Sequence, residues 1–259
     1  MIEIFYFRNF NFNGYGGAIY WVGNNGILKN CNFNNNTSKG SGGAVIWYGA
    51  NGTLYSSTFT SNKADHGAGL YWNGAHGTIF NSDFNNNTAN QMAGAFVLGS
   101  GGINCNLFNC NFINNKASNG GAIVWDGANS NLTDSTFSGN TATSSGGGIY
   151  WSKAGGIIQN CIFINNTAGW GAGAIQWYAI GTMNNCNFVN SKWINNNSRF
   201  NGIYIEKNLT INGGKGIVDI RTGGTLSGIS IVVLNNETYY YPPNTNINLP
   251  NKNTHKLKT

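Results

Sequence analysis

At 259 residues the chain is long enough for one or two domains, and 14% aromatic residues with only three prolines exclude a disordered linker. Its formal net charge of +6 misleads if taken as a whole: from 16 to 191 five basic residues (Lys29, Lys39, Lys63, Lys116, Lys153) face four acidic ones (Asp65, Asp83, Asp126, Asp134). The excess lies at the ends, mostly from Lys192 onward, and the spread-out Lys252, Lys256 and Lys258 form no dense basic run, so no nucleic-acid partner is expected.

The first residues, MIEIFYFRNFNFNG, have no apolar core ending in small residues and do not read as a signal peptide. They read as the end of an earlier repeat, with Phe7 in phase with Phe33, so the chain is expected to begin in mid-array, as a fragment or truncated frame. No run reaches the roughly 18 apolar residues of a membrane-spanning helix.

From Gly16 the sequence repeats itself seven times in steps of 25 to 27 residues. One column holds Ile19, Val45, Leu70, Phe96, Ile123, Ile149 and Ile175. Two residues on stand Trp21, Trp47, Trp72, Trp125, Trp151 and Trp177, broken only by Leu98. A third column holds Leu28, Leu54, Ile79, Leu107, Leu132, Ile158 and Met183; a fourth holds Phe33, Phe59, Phe84, Phe112, Phe137, Phe163 and Phe188. Three residues after each Phe comes Asn36, Asn62, Asn87, Asn115, Asn140 or Asn166, and then Ser191.

Helical spacing of apolar residues is missing, and Gly-Gly-Ala triplets weaken any helix. Short alternating segments between Gly and Asn turns predict strands, three to a repeat. Alternation places the aliphatic, Trp, Leu and Phe columns inward, with the small Cys31, Ser57, Ser82, Cys110, Ser135, Cys161 and Cys186 beside the Phe. The residues between Ile and Trp (Tyr20, Ile46, Tyr71, Val97, Val124, Tyr150, Gln176) are expected to face outward and be exposed. Asn30 and its counterparts are expected at left-handed turn positions, and stacked Asn side chains can hydrogen-bond from repeat to repeat. Extra residues at 100–106 are expected in a turn.

These columns define the fold class: all-β, a right-handed parallel β-helix (solenoid) of about seven coils with a C-terminal β-hairpin or cap. The organisation expected is a β-helix over 1–220, regular over 16–191 and irregular over 192–220. Residues 221–250 are a hairpin or cap, or the start of a truncated β-sandwich; Ile229 to Tyr241 carries the hairpin pattern with Asn235-Asn236 at its turn. Residues 251–259 are expected as a disordered tail.

GGAI followed by FxxN resembles the repeats of chlamydial polymorphic outer-membrane proteins. The Asn-rich version with NLTINGGKGIVDI (208–220) behind it resembles adhesin-like surface proteins of methanogenic archaea. The resemblance covers Phe7 to about Ile220. It implies a right-handed parallel β-helix on the cell surface, acting in adhesion, with glycans or surface proteins of other cells as partners. No catalytic residue carries over. The sequence is read as departing from such surface proteins in that no signal, transporter barrel or evident membrane anchor is expected in it.

Other parallel β-helices degrade polysaccharides, which requires clustered carboxylates to hold calcium or to act as acid and base. Asp65, Asp83, Asp126 and Asp134 fall at unrelated positions of different coils, so no paired-carboxylate site is expected and the protein is read as not an enzyme. His66 and His76 fall in turns of one coil without ligand spacing, and neither a metal nor a cofactor is expected. Cysteines on successive coils sit too far apart for a disulfide, leaving free thiols as the favoured reading, with Cys105–Cys110 as an alternative pair. The Trp column is read as core, with sugar stacking as its alternative. The candidate surface contacts are Tyr20, Tyr48, Tyr71, Tyr150 and Tyr178. Two further functions stay open: a polysaccharide lyase or hydrolase, and a structural spacer.

Overall fold

The computed structural model describes residues 1–3 and 5–189, and beyond them the strands Lys192–Trp193, Gly202–Ile205, Leu209–Asn212, Lys215–Thr222, Ser230–Leu234, Glu237–Tyr241 and Thr254–Leu257. Each repeat is one coil of a parallel β-solenoid. In the first full coil the strands are Ile19–Trp21, Ile27–Lys29, Asn32–Asn34 and Thr37–Ser38. There are thus four strands, not three. The fourth escapes a pattern reading because two residues are too few to show alternation.

Each strand pairs in parallel with its counterpart one repeat on, Ile19 against Val45, Leu28 against Leu54 and Phe33 against Phe59. Four ladders result, which we call the Trp, Leu, Phe and short ladders. The Trp and Phe ladders join into one sheet where Lys215–Thr222 pairs with both Asn187–Val189 and Gly202–Ile205. At the start, Tyr6–Arg8 pairs with Asn32–Asn34 and Phe7 stacks on Phe33 at 4.8 Å. Ser230–Leu234 and Glu237–Tyr241 pair antiparallel, as do Lys215–Thr222 and Thr254–Leu257. The remaining residues of the expected last coils, cap and tail lie outside the described residues.

The interior follows the columns. Phe59 lies 4.7 Å from Phe84 with planes 5° apart, and Trp151 lies 4.8 Å from Trp177 at 7°. Isolated aromatic pairs favour offset or edge-on contacts. Here the coil rise of about 4.8 Å imposes parallel stacking. Trp47, Trp72, Trp125, Trp151 and Trp177 are fully buried, so their faces are core surface and not sugar platforms. The indole N–H groups of Trp47 and Trp72 donate to the carbonyls of Gly49 and Gly74, at 2.9 and 2.8 Å. A Cβ on Gly77 would stand 2.5 Å from Trp72 Cζ2, so glycine there lets the Trp72 ring lie flat on the coil wall.

Asn36, Asn62, Asn87, Asn115, Asn140 and Asn166 are fully buried. The Asn62 amide donates to Asn87 Oδ1 at 2.9 Å and to the Phe33 carbonyl at 3.0 Å, and the Asn62 backbone N–H also bonds Asn87 Oδ1. Each buried amide is thereby satisfied at a corner where the backbone alone leaves groups unpaired. The residue before the buried Asn (Asn35, Asn86, Asn114) and the one before the small Cys/Ser column (Asn30, Asn81, Asn160) have φ between +51° and +57°. Asparagine tolerates that left-handed region, which explains its abundance. All five cysteines are buried and free. Burial pushes the Cys105 thiol up to about 11 and Cys110 up to about 12.

The extra residues at 100–106 fall in a turn, held by Gly102 N–H to Gly99 O at 2.8 Å, and the ladders resume at Asn106 opposite Thr78. One expectation is corrected. Of the supposedly exposed column, Ile46, Val97, Val124 and Gln176 are buried, and only Tyr20 is mostly exposed. The loop that enters the Trp ladder folds back over this column. At Gly120, with φ +61°, a Cβ would come within 2.8 Å of Val124 Cγ2.

Candidate functional site

The loop that covers part of the Trp ladder's outer side leaves the tyrosines in view. Tyr20, Tyr71 and Tyr150 project from the strands, and Tyr48 and Tyr178 directly follow Trp47 and Trp177. All five candidate tyrosines therefore lie on one face. Tyr20 and Tyr150 each lean toward a tyrosine one coil and two residues on. Tyr20 and Tyr48 have centroids 5.7 Å apart with planes tilted 46°; Tyr150 and Tyr178 are 5.0 Å apart at 45°. Tyr20 is 56% exposed and Tyr48 is 40% exposed. Burial raises the Tyr48 hydroxyl pKa, and the nearby Tyr20, Tyr71 and Tyr15 raise it further.

Between the two tyrosine pairs the repeat breaks its own rules. Leu98 replaces a Trp, and Gly99 follows it where other coils carry Tyr48, Asn73, Asp126 or Tyr178. Cys105 and Ser130 take the register of the glycines under the indoles, and Leu98 packs against Gly102 and Gly127. The Trp125 indole N–H is buried with no acceptor. A Cβ on Gly99 would lie 2.5 Å from Asn73 Oδ1 and 3.1 Å from the Tyr71 hydroxyl. Gly99 is thus buried beneath the Tyr71 hydroxyl and the Asn73 side chain, whose Oδ1 also accepts the Gly101 N–H at 2.9 Å. On the far side of Gly99 is Asp126, whose carboxylate accepts the Ser152 hydroxyl. Burial raises the Tyr71 hydroxyl pKa, and the charge of Asp126 raises it again. Beneath, Tyr71 and Tyr150 pack on Ala93, Val97 and Val124. A hydroxyl, an amide and a carboxylate between aromatic rings are groups suited to a polyhydroxylated ligand.

Asn73, Gly99, Asp126 and Ser152 were not singled out as contacts by sequence reasoning. The signal was present, since the Trp column, the Gly column and the repeat length all fail together at this coil. A second missed feature is the column Tyr55, Phe80 and Phe108 on the outer side of the Leu ladder, stacked at 4.9 and 5.0 Å. Those rings are half-buried and cover each other's faces, leaving edges to solvent.

The four aspartates are dispersed. Asp65 lies on the short ladder and accepts the Asn90 amide at 2.7 Å; Asp83 lies on the Phe ladder and accepts the Asn111 amide at 2.8 Å. Asp134 sits in a left-handed turn and accepts the Asn160 amide at 2.9 Å. Asp65 and His66 belong to strand Lys63–His66 and not to a turn, because a register shift lengthens the short ladder there. His76 is in a left-handed turn. Among the described residues no three His, Cys, Asp or Glu side chains gather as metal ligands, and no helix is long and apolar enough to cross a membrane.

In-register parallel coils with buried Asn and aromatic ladders define a β-solenoid protein. The chain belongs to the right-handed β-helix family: a family model described as a right handed beta helix region matches residues 3–137 and 63–236. No curated protein and no solved structure matches it.

Proposed function

We propose that this protein is a non-catalytic, adhesin-like rod of the cell surface whose tyrosine face holds a glycan chain lengthwise. The observation that carries this reading is the tilt of Tyr20 against Tyr48 and of Tyr150 against Tyr178, on either side of the interrupted coil at Leu98 and Gly99. Tyr20 and Tyr48 are exposed, and their tilt leaves part of a ring face to solvent, where a sugar ring can stack. Tyr71, Asn73 and Asp126 between the pairs supply a hydroxyl, an amide and a carboxylate for orientation. The aspartates of the coils lie on different ladders, Asp65 on the short ladder, Asp83 on the Phe ladder and Asp126 after the Trp ladder, which favours binding over a cleavage that needs two facing carboxylates.

A glycan array probed with the purified chain tests the proposal. Retention of neutral oligosaccharides, reduced roughly tenfold in affinity by Tyr48→Ala, is the expected result. Absence of retention on any glycan or cell surface would favour the spacer. Release of shorter sugars, abolished by Asp126→Asn, would establish the enzyme instead.

A further inference from the structure

A different face, the short ladder, carries a column of lysines and threonines. The short ladder turns small residues inward (Ala64, Ala89, Ala117), so its outward residues line an open, close-set wall. The pairing puts Thr37, Lys63, Thr88, Lys116 and Thr141 in one outward column. Lys192 continues the same register opposite Thr167. Threonine and lysine thus alternate over the first coils, and Lys63 and Lys116 stand two coils, or about 10 Å, apart. Lys39, Lys63 and Lys116 are exposed, and no ion pair engages them among the described residues. The one acidic neighbour on this wall, Asp65, spends a carboxylate oxygen on the Asn90 amide at 2.7 Å. Thr37, Lys39, Lys63, Asp65, Thr88 and Asn90 line an open cleft of about 460 Å³ that crosses three coils.

We infer that this lysine–threonine wall binds a linear acidic polysaccharide along the rod axis. Lys63 and Lys116 are separated by one intervening coil, a spacing comparable with a polymer that carries one anion per disaccharide, and Thr88 between them offers a hydroxyl to the intervening sugar. An extended polymer fits better than a compact anion because the cations are separated along a line and do not converge. Within the cleft, Asp65 disfavours an anion directly beside it, so the anions sit over Lys63 and Lys116. This inference does not rest on the tyrosine face.

Fluorescence anisotropy of the full chain with labelled hyaluronan and chondroitin sulfate oligomers tests it, the two probes separating carboxylate from sulfate. At low salt the wild type should bind at least one of them. Lys63→Gln with Lys116→Gln should weaken binding roughly tenfold, and the Lys→Arg pair should restore it. Added salt should weaken the wild type more than the double variant. Tyr48→Ala should leave this binding unchanged, which separates its failure from that of the tyrosine site. Failure to bind either oligomer, equal binding by the Gln variant, or equal competition by neutral dextran or duplex DNA would each overturn the inference.

Discussion

Two sets of aromatic side chains occupy opposite sides of the same wall, and they differ in how much their neighbours constrain them. Inside, Trp47 and Trp72 are 4.5 Å apart with planes 12° from parallel; outside, Tyr20 and Tyr48 are 5.7 Å apart and tilted 46°. The inner rings take the coil rise because they are enclosed by Gly52, Gly77 and the neighbouring indoles. The outer rings meet solvent on one side and lean diagonally. Burial thus turns a repeated residue into scaffold, and release from burial turns one into a surface for contact.

Substitutions can break this contrast. The largest effect is expected from Asn87→Ala. It removes acceptors from the backbone and side-chain N–H groups of Asn62 and strands the Phe59 carbonyl, costing about 4 kcal/mol or more in urea unfolding. Alkaline pH should act next. The thiols of Cys105 and Cys110 are raised to about 11 and about 12 in the folded state, whereas an unfolded thiol titrates near about 8.5. The unfolded chain loses these protons first. Stability is therefore complete below about pH 8.5 and falls as pH rises through about 11 to 12, measurable as a declining Tm.

The interrupted coil offers a sharper probe. Leu98→Trp should destabilise by about 1–3 kcal/mol by crowding Gly102 and Gly127, against which Leu98 packs, and adding Gly127→Ala should cost more than the sum of the two changes. A coupling energy of at least about 1 kcal/mol in the double-mutant cycle checks it. The smallest stability effect is expected for Tyr48→Ala, within about 0.5 kcal/mol, because its ring packs on the surface only.

Much of the scaffold was legible because periodicity of 25 to 27 residues carries the register with it. The Phe column and the Asn ladder could be read from spacing alone. The short ladder could not, since Thr37–Ser38 is too brief to alternate. The burial of Ile46 and Val124 was also hidden, because a loop and not a strand covers them. For the site, spacing placed Tyr20, Tyr48, Tyr71, Tyr150 and Tyr178 outward but could not show the diagonal lean that pairs Tyr20 with Tyr48 and Tyr150 with Tyr178. Gly99 reads as one more turn glycine until Tyr71 and Asn73 are seen covering it.

The most direct test of the division between scaffold and surface is a paired measurement on Tyr48→Ala: calorimetric titration with a glycan retained by the wild type, and thermal melting of the same sample. The account predicts roughly tenfold weaker binding with Tm unchanged to within about 2 °C. Unchanged affinity, or weaker binding only in step with a lowered Tm, would contradict it.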